Sequence, residues 1–250
     1  MKLSLTPDTQ WDTEFSELIP IVAIAGFEAL GCPAREATAE TRRGFDAAGL
    51  ACHELMALVI TDDGDRTLAH AERLAAAAAT MSIPWVTTVF AVTPTEEAAK
   101  VVTRCAEIFA EADTAMAVEF SPVGPVSGIA DGLEVVELAG HGARLLVDTW
   151  HFTLGPSTWA DLETLPSDKI AYLQFTDVAD PVSDDLFDET MNRRALPGDG
   201  ITDLQRFADV VRNNGFDGYV SVEVLSRQLR ARPVPDAVAA VFDAAARYWI

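Results

Sequence analysis

An α/β fold closed into one (β/α)8 TIM barrel, an eight-stranded parallel barrel spanning residues 1–250, is what this sequence predicts. Three observations carry that expectation. Short apolar runs alternate with amphipathic helical stretches along the chain, the mark of repeated βα units and a parallel sheet. Eight such units can be counted, whereas five or six would leave an open doubly wound sheet. The 250 residues match the ordinary size of one barrel of this kind, about 250. No linker or low-complexity tract divides the chain, so a single domain is expected.

The elements follow in order. KLSL is the first strand, and TEFSELIPIVAIAG the first helix. FEALGC is a short second strand, followed by a helix in PAREATAETRRGFDAAG, with Pro33 near its start and Gly49 near its stop. LACHELMALVI is the third strand and DRTLAHAERLAAAAATM an Ala-rich helix. WVTTVFAV is the fourth, and in the helix after it Thr93 precedes Glu96 at capping-box spacing. TAMAVEF and SGIADGLEVVELAG, then ARLLVDTW and STWADLETL, make the fifth and sixth units. IAYLQFTD, a long loop and ITDLQRFADVVRNNG form the seventh, and GYVSVEVL with PDAVAAVFDAAARYWI the eighth.

Glu119, Asp148, Gln174 and Glu223 each stand at the end of one of the last four strands. Each shares parity with an inward neighbour (Ala117, Leu146, Tyr172 and Ser221), so all four can point into the barrel mouth, where barrel active sites lie. Singly, each has a plainer explanation. An Asp at a strand end is often an N-cap, Glu119 and Glu223 could pair with Arg144 or Arg227, and a Gln there is usually a hydrogen-bonding group. Together they favour a shared cation, because buried acids in apolar strands cost several kcal/mol unless paired or metal-bound. Oxygen donors suit Mg²⁺ or Mn²⁺, and carboxylates beside the ion can move protons.

Asp148 and His151 form a D-x-x-H that could bring His151 to the same centre. The stretch DVADPVSDDLFDETMNRRALPGDG exceeds the usual length of a βα loop and is expected to act as a lid. Within it Arg194, rather than Arg193, is the candidate to hold substrate oxygens, unless both only neutralise Asp184, Asp185 and Asp188. His53 shares parity with Leu55 and is a weaker candidate for substrate contact at the mouth. His70 and His141 read as surface residues. Trp85, Trp150 and Phe152 are read as core or as an apolar wall to the site.

Composition narrows the partners. A formal charge of -21, with Lys2, Lys100 and Lys169 the only lysines, repels polyanions, so no nucleic acid partner is expected and a phosphorylated substrate is disfavoured. No apolar run suggests a membrane span or a signal peptide, which points to a cytoplasmic enzyme acting on a small molecule. Cys32, Cys52 and Cys105 lack metal or disulfide spacing and read as free thiols. Self-association to a homo-oligomer through the outer helices stays open.

In the order and spacing of VEFSP, LLVDTWHF, YLQFTDV, RALPGDG and VSVEVLS, the chain resembles the xylose isomerase-like barrels, the sugar phosphate isomerases and epimerases with their related dehydratases. The resemblance implies that Glu119, Asp148, Gln174 and Glu223 are ligands of a divalent metal, Mn²⁺ or Mg²⁺, with Glu119 and Glu223 catalytic. It further implies that His151 and Arg194 contact a carbohydrate-like substrate. The activity implied is an isomerase or epimerase moving a proton beside a carbonyl on a ketose, keto-polyol or related hydroxycarbonyl compound. An inosose or dehydroshikimate dehydratase is the alternative. That family usually has His where this chain has Gln174, and some of its dehydratases resemble this chain there. It often has Glu at the second strand end, where this chain offers Leu30 and Gly31.

Overall fold

The computed structural model describes residues Met1–Ile250. Its strands are β1 (Lys2–Leu5), β2 (Ala29–Pro33), β3 (Ala51–Ile60), β4 (Trp85–Phe90), β5 (Ala115–Glu119), β6 (Arg144–Asp148), β7 (Ile170–Phe175), β8 (Asp177–Val178), β9 (Arg194–Ala195) and β10 (Tyr219–Val222). Eight of them close in the order β1-β10-β7-β6-β5-β4-β3-β2, each registered pair being parallel. The expected (β/α)8 barrel is therefore present. The two-residue strands β8 and β9 stand apart as an antiparallel pair in the long segment after β7.

Local chemistry sets the helix ends. Helix α1 (Phe15–Ala25) stops at Gly26, whose φ of 105° favours glycine. Helix α2 (Ala39–Ala48) is capped by Thr38 and stops at Gly49, as the sequence predicts, but Pro33 ends β2 instead of opening that helix. A turn of 3-10 helix, Ala34–Glu36, fills the gap. Helix α3 (Gly64–Met81) is capped by Asp63, and α4 (Glu96–Ala110) by Thr95, not Thr93. Starting at Glu96 places both Glu96 and Glu97 in the first turn, against the positive end of the helix dipole.

The later connections are more broken than the expected strand-helix rhythm. Helix α5 (Ile129–Ala139) is regular, but β6 and β7 are joined by two short helices, α6 (Thr149–Leu154) and α7 (Trp159–Glu163). The long segment carries α8 (Leu186–Asn192) between β8 and β9, then α9 (Leu204–Asn213). After β10 come α10 (Arg227–Arg230) and α11 (Val234–Trp249). No helix is long and apolar enough to cross a membrane.

Two unequal cores result. The main one joins 58 buried residues, chiefly the outward faces of the strands and the helices packed on them, so the outer layer supplies most of the apolar burial. The second, inside the barrel, groups only Ala117, Leu146, Ala171 and Tyr172. Much of the rest of the interior is polar. Ser4, Thr6, His53, Glu54, Thr87 and Ser221 are buried there and satisfy one another by hydrogen bonds. Phe152 contacts Trp159 and Phe207 in the outer layer, Trp150 is buried, and Trp85 stacks under Arg144 near the opposite end, so none of these aromatic rings walls the mouth.

Candidate metal and substrate site

Glu119 ends β5, Asp148 ends β6, Gln174 lies near the end of β7, and Glu223 directly follows β10. Asp148 and Gln174 are directly paired across β6 and β7. Parity therefore served its purpose here, and the four side chains gather at one mouth. Glu119, Asp148 and His151 each bring a ligand atom within 4.8 Å of the other two. The Gln174 amide stands 3.1 Å from both Asp148 Oδ2 and Glu119 Oε1.

Asp148 performs two tasks at once. One oxygen caps α6, accepting from the backbone amides of Trp150 (2.6 Å) and His151 (3.2 Å), so the capping explanation holds. Its other oxygen remains directed at the cluster and accepts from Arg194 Nη1 at 2.7 Å. The same cap fixes the turn that delivers His151, whose Nε2 lies 3.3 Å from Glu119 Oε1 and whose Nδ1 lies 3.2 Å from Ser121 Oγ.

Arg194 Nη1 also reaches Glu223 Oε2 at 3.0 Å, so one guanidinium ties two carboxylates together. Its remaining nitrogens donate to Thr190, through the backbone oxygen at 3.1 Å and Oγ1 at 2.9 Å, and its plane lies over Trp150. Arg193 instead pairs with Glu189, while Arg227 takes Asp188. Burial by itself raises Asp148, but the Arg194 and His151 charges and the hydrogen bonds outweigh it and hold the acid below its ordinary range. Glu223 goes the other way: burial, with the negative charges of Glu119 and Asp148, lifts it well above the usual value despite Arg194. Arg194 is held charged, because Asp148 and Glu223 overcome the cost of its burial.

The expectation for His53 needs correcting. It lies in the lower half of the barrel, fully buried, 2.7 Å from Ser4 Oγ and against the rings of Tyr172 and Tyr219. Parity predicted the inward face but carries no information on height along the strand. Burial pushes its pKa down to about 3, so it is a neutral interior residue.

Its neighbour Glu54 escaped the sequence reading. Glu54 is also fully buried, accepting from Thr6 (2.5 Å), Tyr172 (2.5 Å) and Thr87 (3.3 Å). It sits one layer beneath the cluster, since its partner Tyr172 precedes Gln174 by two residues on β7. The pairing of β3 slips against both β2 and β4, and His53 and Glu54 both reach the interior despite being adjacent. A methyl group on Gly31 would collide with Glu54 Oε1, so this glycine in the middle of β2 leaves room for an acid from β3. Burial pushes Glu54 up to about 7. With His53 neutral, their 3.4 Å approach joins no fixed ion pair. An acid inside an otherwise apolar run was the available signal, the same one that singled out Glu119.

The donor set fits a divalent cation. It offers carboxylate oxygens, one imidazole nitrogen and an amide oxygen, on rigid strand ends. The Gln174 amide gives the sharper test. With its nitrogen toward Asp148 and Glu119 it donates to both; with its oxygen toward them three oxygens face one another, which is favourable only around a positive charge. Glu223 lies outside the 4.8 Å group and is joined to it through Arg194. Above the cluster opens a cavity of about 430 Å³, lined on one side by Glu119, His151, Arg194 and Glu223 and on the other by apolar side chains.

Comparisons with known proteins agree with this architecture. The xylose isomerase-like TIM barrel family profile matches residues 22–247. An inosose isomerase of Halalkalibacterium halodurans is 32% identical over 127 residues, which is 50% of this chain and 44% of that protein. The match thus spans less than half the length of that curated relative. Among solved structures, an IOLI protein with a bound zinc atom superposes with a TM-score of 0.88 at 19% identity, covering 100% of this chain and 99% of that one. The probable 3-DHS dehydratase AsbF of Bacillus anthracis gives 0.80 at 17% identity, covering 97% and 98%. With the barrel closed and the profile spanning nearly all of it, this chain belongs to the xylose isomerase-like TIM barrel family.

Proposed function

We propose that this protein is a divalent-metal-dependent isomerase or epimerase, cytoplasmic, acting on a ketose, keto-polyol or related hydroxycarbonyl compound. The observation that carries the proposal is the convergence of Glu119, Asp148 and His151 within 4.8 Å, with the Gln174 amide 3.1 Å from both carboxylates. Glu119, Asp148, Gln174 and Glu223 would hold the ion, Mn²⁺ or Mg²⁺, and His151 stands close enough to join them or to meet the substrate. When bound, the ion supplies polarisation of the substrate carbonyl and neutralises charge on the adjacent oxygen.

Glu119 and Glu223 come from β5 and the end of β10, separated around the ring by β6 and β7. They therefore address a substrate in the mouth from different sides. One takes the proton from the carbon beside the carbonyl, leaving an enediolate, and the other returns a proton. Return to the other face of that carbon gives epimerisation; return to the neighbouring carbon gives isomerisation. Arg194, fixed by Thr190, orients both Asp148 and Glu223 at the edge of the cavity, its charge balanced by those two carboxylates.

Dehydration is the second reading, favoured by Gln174 in the position where His is usual in the family. Incubating the Mn²⁺-loaded protein with a ketose panel in D₂O separates the two: carbon deuteration without water loss is expected, whereas a conjugated product absorbing in the ultraviolet would establish the dehydratase. Calorimetric titration with Mn²⁺ tests the site. Glu119→Gln and Glu223→Gln are each expected to weaken binding by about tenfold or more, in line with lost charged ligands. Unchanged affinity in both would remove them from the ligand set.

A further inference from the structure

The upper wall of the cavity has a different chemistry from its floor. Strand β3 runs for ten residues, and near its end Val59 pairs with Val89 of β4, raising an apolar edge at the mouth. Val123, on the loop after β5, and Phe187 and Met191, from α8, complete that wall, with Leu225 beyond Glu223. Val59, Val123 and Phe187 are 40%, 44% and 65% exposed. Scattered exposed apolar residues are ordinary, but these three ring one cavity over a polar cluster.

Polar partners for a substrate on that side are already engaged. Ser121 Oγ contacts His151 and accepts from the Val123 amide, and Thr190 Oγ1 is held by Arg194. The one guanidinium lining the cavity, Arg194, is committed to Asp148, Glu223 and Thr190, so no free cation there awaits a phosphate or carboxylate. A row of hydroxyls placed on this wall would lose water without gaining hydrogen bonds, whereas a hydrocarbon group would gain by burial.

We infer that the substrate is an uncharged hydroxycarbonyl compound whose reacting end meets the Glu119–Asp148–His151 cluster and whose far end is a hydrocarbon ring or chain packed on Val59, Val123, Phe187 and Met191. This rests on the metal-site reading above and narrows it, favouring members with an apolar far end over phosphorylated sugars and fully hydroxylated ketoses.

Three probes share one hydroxycarbonyl head: dihydroxyacetone, dihydroxyacetone phosphate and α-hydroxyacetophenone. Their affinities for the Mn²⁺-loaded protein are read from the relaxation of probe protons by the bound ion. The phenyl probe is expected to bind about tenfold tighter than dihydroxyacetone, as burial of a small apolar group predicts, and the phosphate no tighter. Phe187→Ser and Val123→Ser are expected to abolish that preference while Mn²⁺ affinity is retained. Dihydroxyacetone or its phosphate binding as tightly as the phenyl probe, with relaxation still dependent on Mn²⁺, would overturn this inference and leave the metal site standing. Absolute affinities of all three probes that are unchanged in EDTA, measured by ligand-detected NMR, would uphold the apolar wall if the phenyl preference persists and would remove the ion from substrate binding.

Discussion

Glu54 keeps its proton into the neutral range because burial outweighs the hydroxyls of Thr6, Tyr172 and Thr87 that donate to it. A carboxyl that binds its proton more tightly folded than unfolded stabilises the fold fully below its ordinary value of 4.5, and that contribution is lost as pH rises through about 7. The span corresponds to about 3 kcal/mol. His53 acts in the opposite sense: its pKa falls from 6.5 to about 3, so its contribution is present above 6.5 and is lost on acidification. Because the two windows overlap, the difference between wild type and Glu54→Gln isolates the acid. In metal-free urea unfolding, the wild type is expected to lose stability relative to Glu54→Gln between pH 4.5 and 7. A difference independent of pH would show that Glu54 titrates normally.

The turn that ends the long segment after β7 gathers around one buried acid. Asp177 accepts the backbone amides of Val178, Gly198, Gly200 and Thr202, which pins the PGDG turn and with it the β8–β9 pair. Arg194 is the first residue of β9, so this turn also sets where its guanidinium falls relative to Asp148 and Glu223. Further anchors are Glu189 with Arg193, and Arg230, which reaches Asp8, Asn192 and Met191. Asp177→Ala leaves several buried amides without an acceptor and is expected to cost about 3 kcal/mol. Limited proteolysis should then cut first between residues 196 and 202; a wild-type digestion rate would show the turn is held by other contacts. The length and acidity of the segment were visible in the sequence. Its fastening was not, because it depends on amides that only the folded turn presents to Asp177.

At the scale of the molecule, a charge of -21 makes the folded state repel itself. Screening should relieve that repulsion, so raising NaCl from about 0.02 to about 0.5 M in EDTA is expected to raise the melting temperature by about 3 °C. A fall with salt would mean that exposed ion pairs such as Arg206 with Glu163 outweigh the net charge. By itself, the sequence determined the eight-strand barrel, the Gly49 helix stop and the four inward-facing side chains at the strand ends. These follow from periodicity, turn chemistry and parity, which are properties of neighbouring residues along the chain. Only the tertiary structure decided that His53 lies deep, that Glu54 fills the space beside Gly31, that Arg194 stands between Asp148 and Glu223, and that Val59, Val123 and Phe187 share one wall. Those relations join strands and loops remote in sequence, and their heights and spacings are set by register and packing.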